Sequence, residues 1–178
     1  MIIGSGDIAN AIVDRKELLF FASGVSKSSE TDDLQFAREK NLLLAQDKNS
    51  QLVYFSTLSQ YYSDSPYIRH KKAMEDIVKL EFAKYTIVRF GNITWGKNPN
   101  TLLNHLMNKV INNVPIEIQE THRHIMTKKD FLFWLNHIPI GKSDVMNITG
   151  KLLTVREILE LIKECHQQCS DFESVFGR

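Results

Sequence analysis

Short apolar runs rich in β-branched and aromatic residues alternate along this chain with segments of helical periodicity. Five such runs predict strands, at residues 1–4, 18–22, 51–56, 85–90 and 144–149. Three of them (LLFFA, LVYFS and YTIVRF) are nearly continuously apolar, as parallel strands covered on both faces should be. Helical patterns lie near residues 7–14, 32–46, 66–84, 101–112, 128–137 and 154–169. Several carry start signals. Asp32 and Asp33 precede an amphipathic run, Pro66 suits a first helical position, and Thr154 with Glu157 reads as a capping box. Strand–helix alternation implies right-handed crossovers and an α/β fold. The expected architecture is a three-layer Rossmann-like sandwich with a reduced, mostly parallel sheet of about five strands. An open sheet of this kind binds ligands beyond the carboxyl ends of its strands.

A length of 178 residues fits a single domain, 1–178, with a core of its own. The 22 basic side chains nearly balance the 21 acidic ones, so charge gives no reason to expect nucleic acid or an anionic membrane as partner. No apolar run approaches the ~20 residues that span a bilayer. Residues 1–4 do not resemble a secretion signal. Cys165 and Cys169 lie close together, which excludes a disulfide framework and suits a cytoplasmic location. His166 follows Cys165 directly and so points about 100° away from it on a helix, and with no second Cys/His pair no metal site is expected. Phe131, Phe133 and Trp134 read as helix core packing, His122–Arg123–His124 as a solvated loop, and 171–178 as a disordered tail.

Three motifs carry candidate chemistry. Gly4-Ser5-Gly6-Asp7-Ile8-Ala9 is a G-x-G-x-x-A that follows a strand and opens a helix. Such glycines let backbone approach a pyrophosphate, whose charge meets helix N-terminal amides, and a small Ala9 lets the helix pack on the sheet. A plain strand-to-helix turn is the other reading. Tyr67 and Lys71 stand one helical turn apart on one face, just after a strand ending in hydroxyls. The lysine charge should lower the tyrosine pKa toward useful base strength. A packed Tyr beside an exposed Lys is the blander reading. In Arg89-Phe90-Gly91-Asn92, a buried strand runs into a polar loop where Asn92 offers both donor and acceptor; an ordinary turn would use the same residues.

Taken in order, these segments resemble the short-chain dehydrogenase/reductase superfamily, in its extended, nucleotide-sugar epimerase/dehydratase branch. Ser56-Thr57 resembles the branch's strand-end hydroxyl pair, and Tyr67 and Lys71 its Y-x-x-x-K, followed by Glu75. Arg89 to Asn92 resembles its R-x-x-N; Arg123 to Asp130 and Val145 to Glu157 resemble later segments. The resemblance implies that Tyr67 is the acid/base, that Lys71 tunes it and holds the nicotinamide ribose, and that Thr57 hydrogen-bonds the reacting oxygen. It places Gly4, Ser5, Gly6, Asp7, Ile8 and Ala9 along a pyrophosphate and Ala22 and Ser23 along the cofactor. Asn92 and Arg123 would face the substrate. The implied cofactor is NAD or NADP, with NAD favoured, and the implied substrate a nucleotide-activated sugar undergoing epimerisation or reduction.

The chain also departs from that pattern. The usual second and third strands, which hold adenosine, are missing between the glycine motif and LLFFA. Arg15 and Lys16 precede a strand and so belong to the wrong sheet edge to replace them. Leu58 and Ser59 stand where the dehydratases carry an acid pair, so dehydration by that route is not expected. A small substrate-side portion is expected around 97–143. The first strand becomes an edge, and a symmetric partner could cover it; a homodimer through this edge or the helices near 32–46 and 66–84 is expected. The shortened adenosine half leaves a second reading: a scaffold serving as a binding or assembly protein, or a site completed by another subunit.

Overall fold

The chain forms two sheets around a shared corner. The computed structural model describes residues 1–118 and 121–177. The main sheet is wholly parallel and takes β1 (Ile2–Ile3), β2 (Leu18–Phe21), β3 (Gln51–Thr57), β4 (Tyr85–Phe90) and β7 (Asp144–Ile148), in that spatial order. The pleat sends alternate side chains to opposite faces. Phe20, Val53, Phe55 and Val88 pack with Phe131 and Leu135 of α5 (Lys128–Asn136) on one side. Leu19, Phe21, Leu52, Tyr54 and Ile87 pack on the other. There they meet Leu43 of α2 (Asp33–Leu44) and Met74 and Val78 of α3 (Pro66–Glu81). Two-sided burial explains why LLFF and LVYF carry no alternation.

The helix starts follow the chemistry expected of them. Asp32 caps α2 by accepting from the Leu34 amide, and Pro66 occupies the first turn of α3. Thr154 and Glu157 form the reciprocal capping box of α6 (Val155–Gln168). By contrast, α1 is only Asp7–Ala11, shorter than the expected 7–14. Ile12 is extended and buried against the sheet, because the chain must turn back quickly to enter β2.

A second sheet is built from β5 (Asn92–Ile93), β6 (His122–Met126) and β8 (Lys151–Thr154), with β6 between the other two. Its core joins Leu103 and Leu106 of α4 (Leu102–Ile111), Ile158 and Ile162 of α6, and Val175 and Phe176 of α7 (Phe172–Phe176). This unit therefore draws in elements beyond 97–143. Three expectations are corrected here. His122–Arg123–His124 is strand, because β8 pairs with it residue by residue, His122 opposite Thr154, Arg123 opposite Leu153 and His124 opposite Leu152. Residues 172–176 are helical, since Asp171 caps the turn and Val175 and Phe176 are buried; Arg178 lies outside the described residues. Phe131 is core, but Phe133 and Trp134 are exposed. No helix among the described residues is long and apolar enough to cross a membrane.

Ile87 is fully buried in the central strand β4, whereas Leu80 on α3 is 82% exposed. Ile87→Ala should lower the free energy of unfolding by about 2–5 kcal/mol in urea denaturation. Leu80→Ala should change it by less than about 0.5 kcal/mol.

Candidate active site

An open cleft of about 1430 Å³ lies over the carboxyl ends of the main-sheet strands and is closed on its far side by β5 and β6. Clefts for small ligands run to roughly 300–1,000 Å³, so this one has room for a large ligand or two smaller ones.

At the end of β1 the chain turns at Gly4, with φ +130°; a Cβ there would stand 2.3 Å from the Ala22 carbonyl oxygen. Only glycine lets β1 lie this close to the end of β2. Ser5, Gly6, Asp7 and Ile8 then line the cleft, and a Cβ on Gly6 would meet nothing within 4 Å, so bare backbone faces open space. Ala9 is buried beneath them. The Asp7 carboxylate accepts from the amides of Lys97 and Asn98, both at 3.1 Å, and the Asp7 carbonyl accepts from Trp95 Nε1 at 3.2 Å. Asp7 thus ties the glycine loop to the loop after β5. Ala22 and Ser23 line the cleft at the end of β2. Arg15 donates to the Leu135 carbonyl and lies away from the cleft.

The end of β3 supplies Ser56 and Thr57. Thr57 Oγ1 accepts from the Ser59 amide at 3.1 Å and starts a 3-10 turn (Leu58–Tyr61). Ser56 Oγ donates to buried Glu75 at 2.6 Å. The same Glu75 carboxylate receives the Arg89 guanidinium through Nε at 2.9 Å and through a second, shorter contact, and Arg89 reaches Tyr61 Oη at 2.7 Å. Burial works against the Glu75 charge, but Arg89 and Ser56 outweigh it and hold its pKa below the usual range. Arg89 and Glu75 therefore brace the site from beneath.

Tyr67 and Lys71 face the cleft from the first two turns of α3. Lys71 is 4% exposed. Its ammonium donates to Glu39 Oε1 at 2.9 Å, to Tyr54 Oη at 3.1 Å and, at a long 3.5 Å, to the Phe55 carbonyl. Glu39 is fully buried on α2 and accepts also from Tyr54 Oη at 2.7 Å and the Val25 amide at 2.6 Å, with His70 Nε2 at 3.0 Å. Burial alone would raise the Glu39 pKa, but Lys71 and these hydrogen bonds hold it well below the carboxylate range. Burial opposes the Lys71 charge as well, but Glu39, with Tyr67 and Glu75 behind it, more than compensates, so its pKa lies above the ordinary value.

Tyr67 does not show the depressed pKa expected from its lysine. Burial pushes the phenol up, Lys71 pulls it down, and Glu39 pushes it up again, leaving it above its ordinary value. Sequence reasoning did not find Glu39. It sits one turn before buried Leu43 on the same helix face, which was the available signal.

The second sheet contributes Asn92 and Arg123, and both line the cleft. Asn92 Nδ2 donates to the His124 carbonyl at 3.2 Å, and the Arg123 guanidinium lies 5.9 Å from the Tyr62 ring centroid. The cleft thus gathers Gly6, Thr57, Tyr67, Lys71, Asn92 and Arg123 from five separate stretches of chain. No described strand lies beyond β1, so nothing extends the sheet on the side of the glycine loop away from Tyr67.

No protein-family model matches the chain, and no curated protein matches it in sequence. Solved structures do match it in fold. The Bordetella bronchiseptica enzyme WbmH, in complex with NAD+, superposes with a TM-score of 0.71 at 16% identity, over 86% of this chain and 60% of that one. TunA, an NAD-dependent NDP-hexosamine 5,6-dehydratase of tunicamycin biosynthesis, gives 0.70 at 19% identity, over 86% and 62%. A UDP-glucuronic acid 4-epimerase from Bacillus cereus, with a fluorinated UDP-sugar and NAD, gives 0.66 at 16%, over 87% and 61%. The protein therefore has the Rossmann-like fold of NAD-dependent nucleotide-sugar epimerases and dehydratases, in an abbreviated form. It spans about three-fifths of the length of these structures.

The buried Glu39–Lys71 pair fixes the sign of an acid dependence. The folded pKa of Glu39 lies below its ordinary 4.5, so the unfolded chain takes up a proton first. The stability that Glu39 contributes is complete above about pH 4.5 and drains away as pH falls toward the folded value. The double variant Glu39→Gln/Lys71→Met should therefore lose less stability than wild type between about pH 5 and 3 in urea unfolding. Equal acid slopes would show that the pair carries no such linkage.

Proposed function

We propose that this chain is a small NAD(P)-dependent enzyme, with NAD favoured, that epimerises or reduces a nucleotide-activated sugar. The observation supporting this most directly is the convergence of the glycine loop, Thr57, Tyr67 and Lys71 on one cleft at the carboxyl ends of parallel strands. The residues present suit the pyrophosphate and nicotinamide side of such a cofactor. The open backbone face at Gly6, with Ser5, the Asp7 backbone and Ile8, would lie along the pyrophosphate, while Gly4 and Ala9 set the turn and its packing. Ala22 and Ser23 would follow the cofactor toward the site. The weakest of the three Lys71 contacts, at 3.5 Å, leaves one donor for a ribose hydroxyl. The cofactor supplies hydride exchange at its nicotinamide ring. Tyr67 would hold the proton that meets the substrate oxygen, with Thr57 as a second partner for that oxygen. Asn92 and Arg123 would face the sugar nucleotide, the guanidinium matching its phosphates. Leu58, buried at 3% exposure, and Ser59 offer no carboxylate for elimination, so dehydration is left out.

One observation favours a second reading, a binding or assembly protein or a site completed by another subunit. With β1 at the edge, the adenosine side would have no further strand among the described residues to rest on. We also propose a cytoplasmic homodimer, paired through the β1 edge or through α2 and α3.

Calorimetric and thermal-shift titration with NAD(H) and NADP(H) separates the two readings. A bound cofactor should stabilise the fold by about 2.7 kcal/mol at a hundredfold excess over Kd, and no shift at millimolar cofactor would favour the second. Tyr67→Phe should lower turnover by about 10²–10⁴-fold while cofactor binding persists. Light scattering should give a dimer mass; a monomer mass at every concentration would end the dimer proposal.

A further inference from the structure

We infer that Glu39 is a positioning residue: from behind the cleft wall it anchors Lys71 and balances its charge, and so adds to burial in keeping Tyr67 a neutral phenol that donates to a substrate carbonyl oxygen. The inference rests on the proposed reading of Tyr67 as the group that meets substrate.

The geometry carries it. Glu39 Oε1 sits 2.9 Å from Lys71 Nζ, and both groups lie out of solvent, with Glu39 fully buried and Lys71 4% exposed. Water and salt therefore screen the pair little. At Tyr67, whose ring centroid is 5.9 Å from Lys71 Nζ, the two charges act largely as a dipole, whose field falls faster than that of a lone cation. The charged and titratable groups around this phenol are Lys71 on its own helix, Glu39 on α2 and Tyr54 on β3. Tyr54 is itself a buried neutral phenol that donates to Glu39, so it does not restore the missing positive charge.

The surroundings are shaped to hold the carboxylate in place. A Cβ on Gly24 would stand 2.7 Å from Lys71 Nζ and 2.9 Å from Glu39 Oε1, so the loop after β2 is bare where the pair needs room. The next residue, Val25, turns its amide onto Glu39 Oε2. His70 approaches the same oxygen and is stacked on Phe36, with ring centroids 4.5 Å apart. A neutral phenol offers its O–H to a lone pair, so the resting site matches a keto sugar better than an alcohol, whose oxidation would call for a phenolate.

Alkaline titration of tyrosinate absorbance tests this on protein without cofactor or substrate. Tyr67 is isolated by subtracting the matching Tyr67→Phe variant in each background. In a Lys71→Arg background, whose cation persists through the alkaline range, Glu39→Gln should lower the Tyr67 midpoint by about one pH unit or more, because that charge is left uncompensated. A folded Glu39→Gln/Lys71→Arg protein with an unmoved midpoint would overturn the inference. Should that protein not fold, the charge-free pair Glu39→Gln/Lys71→Met decides. Its Tyr67 midpoint should stay within about one unit of wild type, and a larger rise would show that Lys71 had acted on Tyr67 uncompensated. Failure of NAD to bind would remove the functional reading and leave the titration result standing. An unmoved Tyr67 in a protein that binds NAD would remove this inference alone.

Discussion

The parallel pairing of β1 directly onto β2 is the constraint from which the rest of the site follows. Ile2 and Ile3 lie in register with Phe20 and Phe21, and the Ala22 amide donates to the Ile3 carbonyl at 2.7 Å. That register drives Gly4 against Ala22, closer than any side chain permits, and so sets the corner from which the glycine loop springs. The connection back to β2 is too short for a long helix, and α1 ends at Ala11. Asp7 then spends its carboxylate on the amides of Lys97 and Asn98, fastening the loop to the second sheet. The cleft is thus bounded by β1 at one end and by β5 and β6 at the other, with the ends of β2, β3 and β4 as its floor.

Two ion pairs, one fully buried and one partly so, support that floor, and both use α3. Lys71 and Glu75 are one turn apart; the first pairs with Glu39 on α2, the second with Arg89 on β4. Each also takes a hydroxyl from β3, Tyr54 in one case and Ser56 in the other. Desolvating such charges is costly, and the added hydrogen bonds are what make burial tolerable. Losing one partner of such a pair typically costs about 3–5 kcal/mol. The return is geometric: α2, α3, β3 and β4 meet at fixed distances where Tyr67 and Thr57 enter the cleft.

What the sequence disclosed follows from how each element is stabilised. LLFF, LVYF and YTIVRF were legible because two-sided burial leaves an apolar run. Asp32, Pro66 and the Thr154/Glu157 box were legible because capping is local chemistry. β6 was not, since HRHIM owes its strand state to β5 and β8, which lie far away in sequence. The short α7 was missed for a related reason, its order coming from packing of Val175 and Phe176 against α4 and α6. Within the site, Tyr67 and Lys71 were visible as a spaced pair. Glu39 was not, because a glutamate in an amphipathic helix reads as solvated until its partners converge from β3, α3 and the loop after β2.

The overall charge of +1 describes the chain and not the cleft. Lys27, Arg38 and Arg123 line the opening, and the one carboxylate among the lining residues, Asp7, already accepts from two backbone amides. Lys71 adds little to this excess, because Glu39 balances it from behind. The positive field therefore comes from the rim, on the loop after β2, on α2 and on β6. A concave, partly desolvated wall of that sign favours a diphosphate whether it is carried by a dinucleotide or by a nucleotide sugar. On the proposed reading, a main sheet with no described strand beyond β1 would lack a floor for adenosine yet keep this attraction for phosphates, and affinity would rest on what β2, β3 and β6 present.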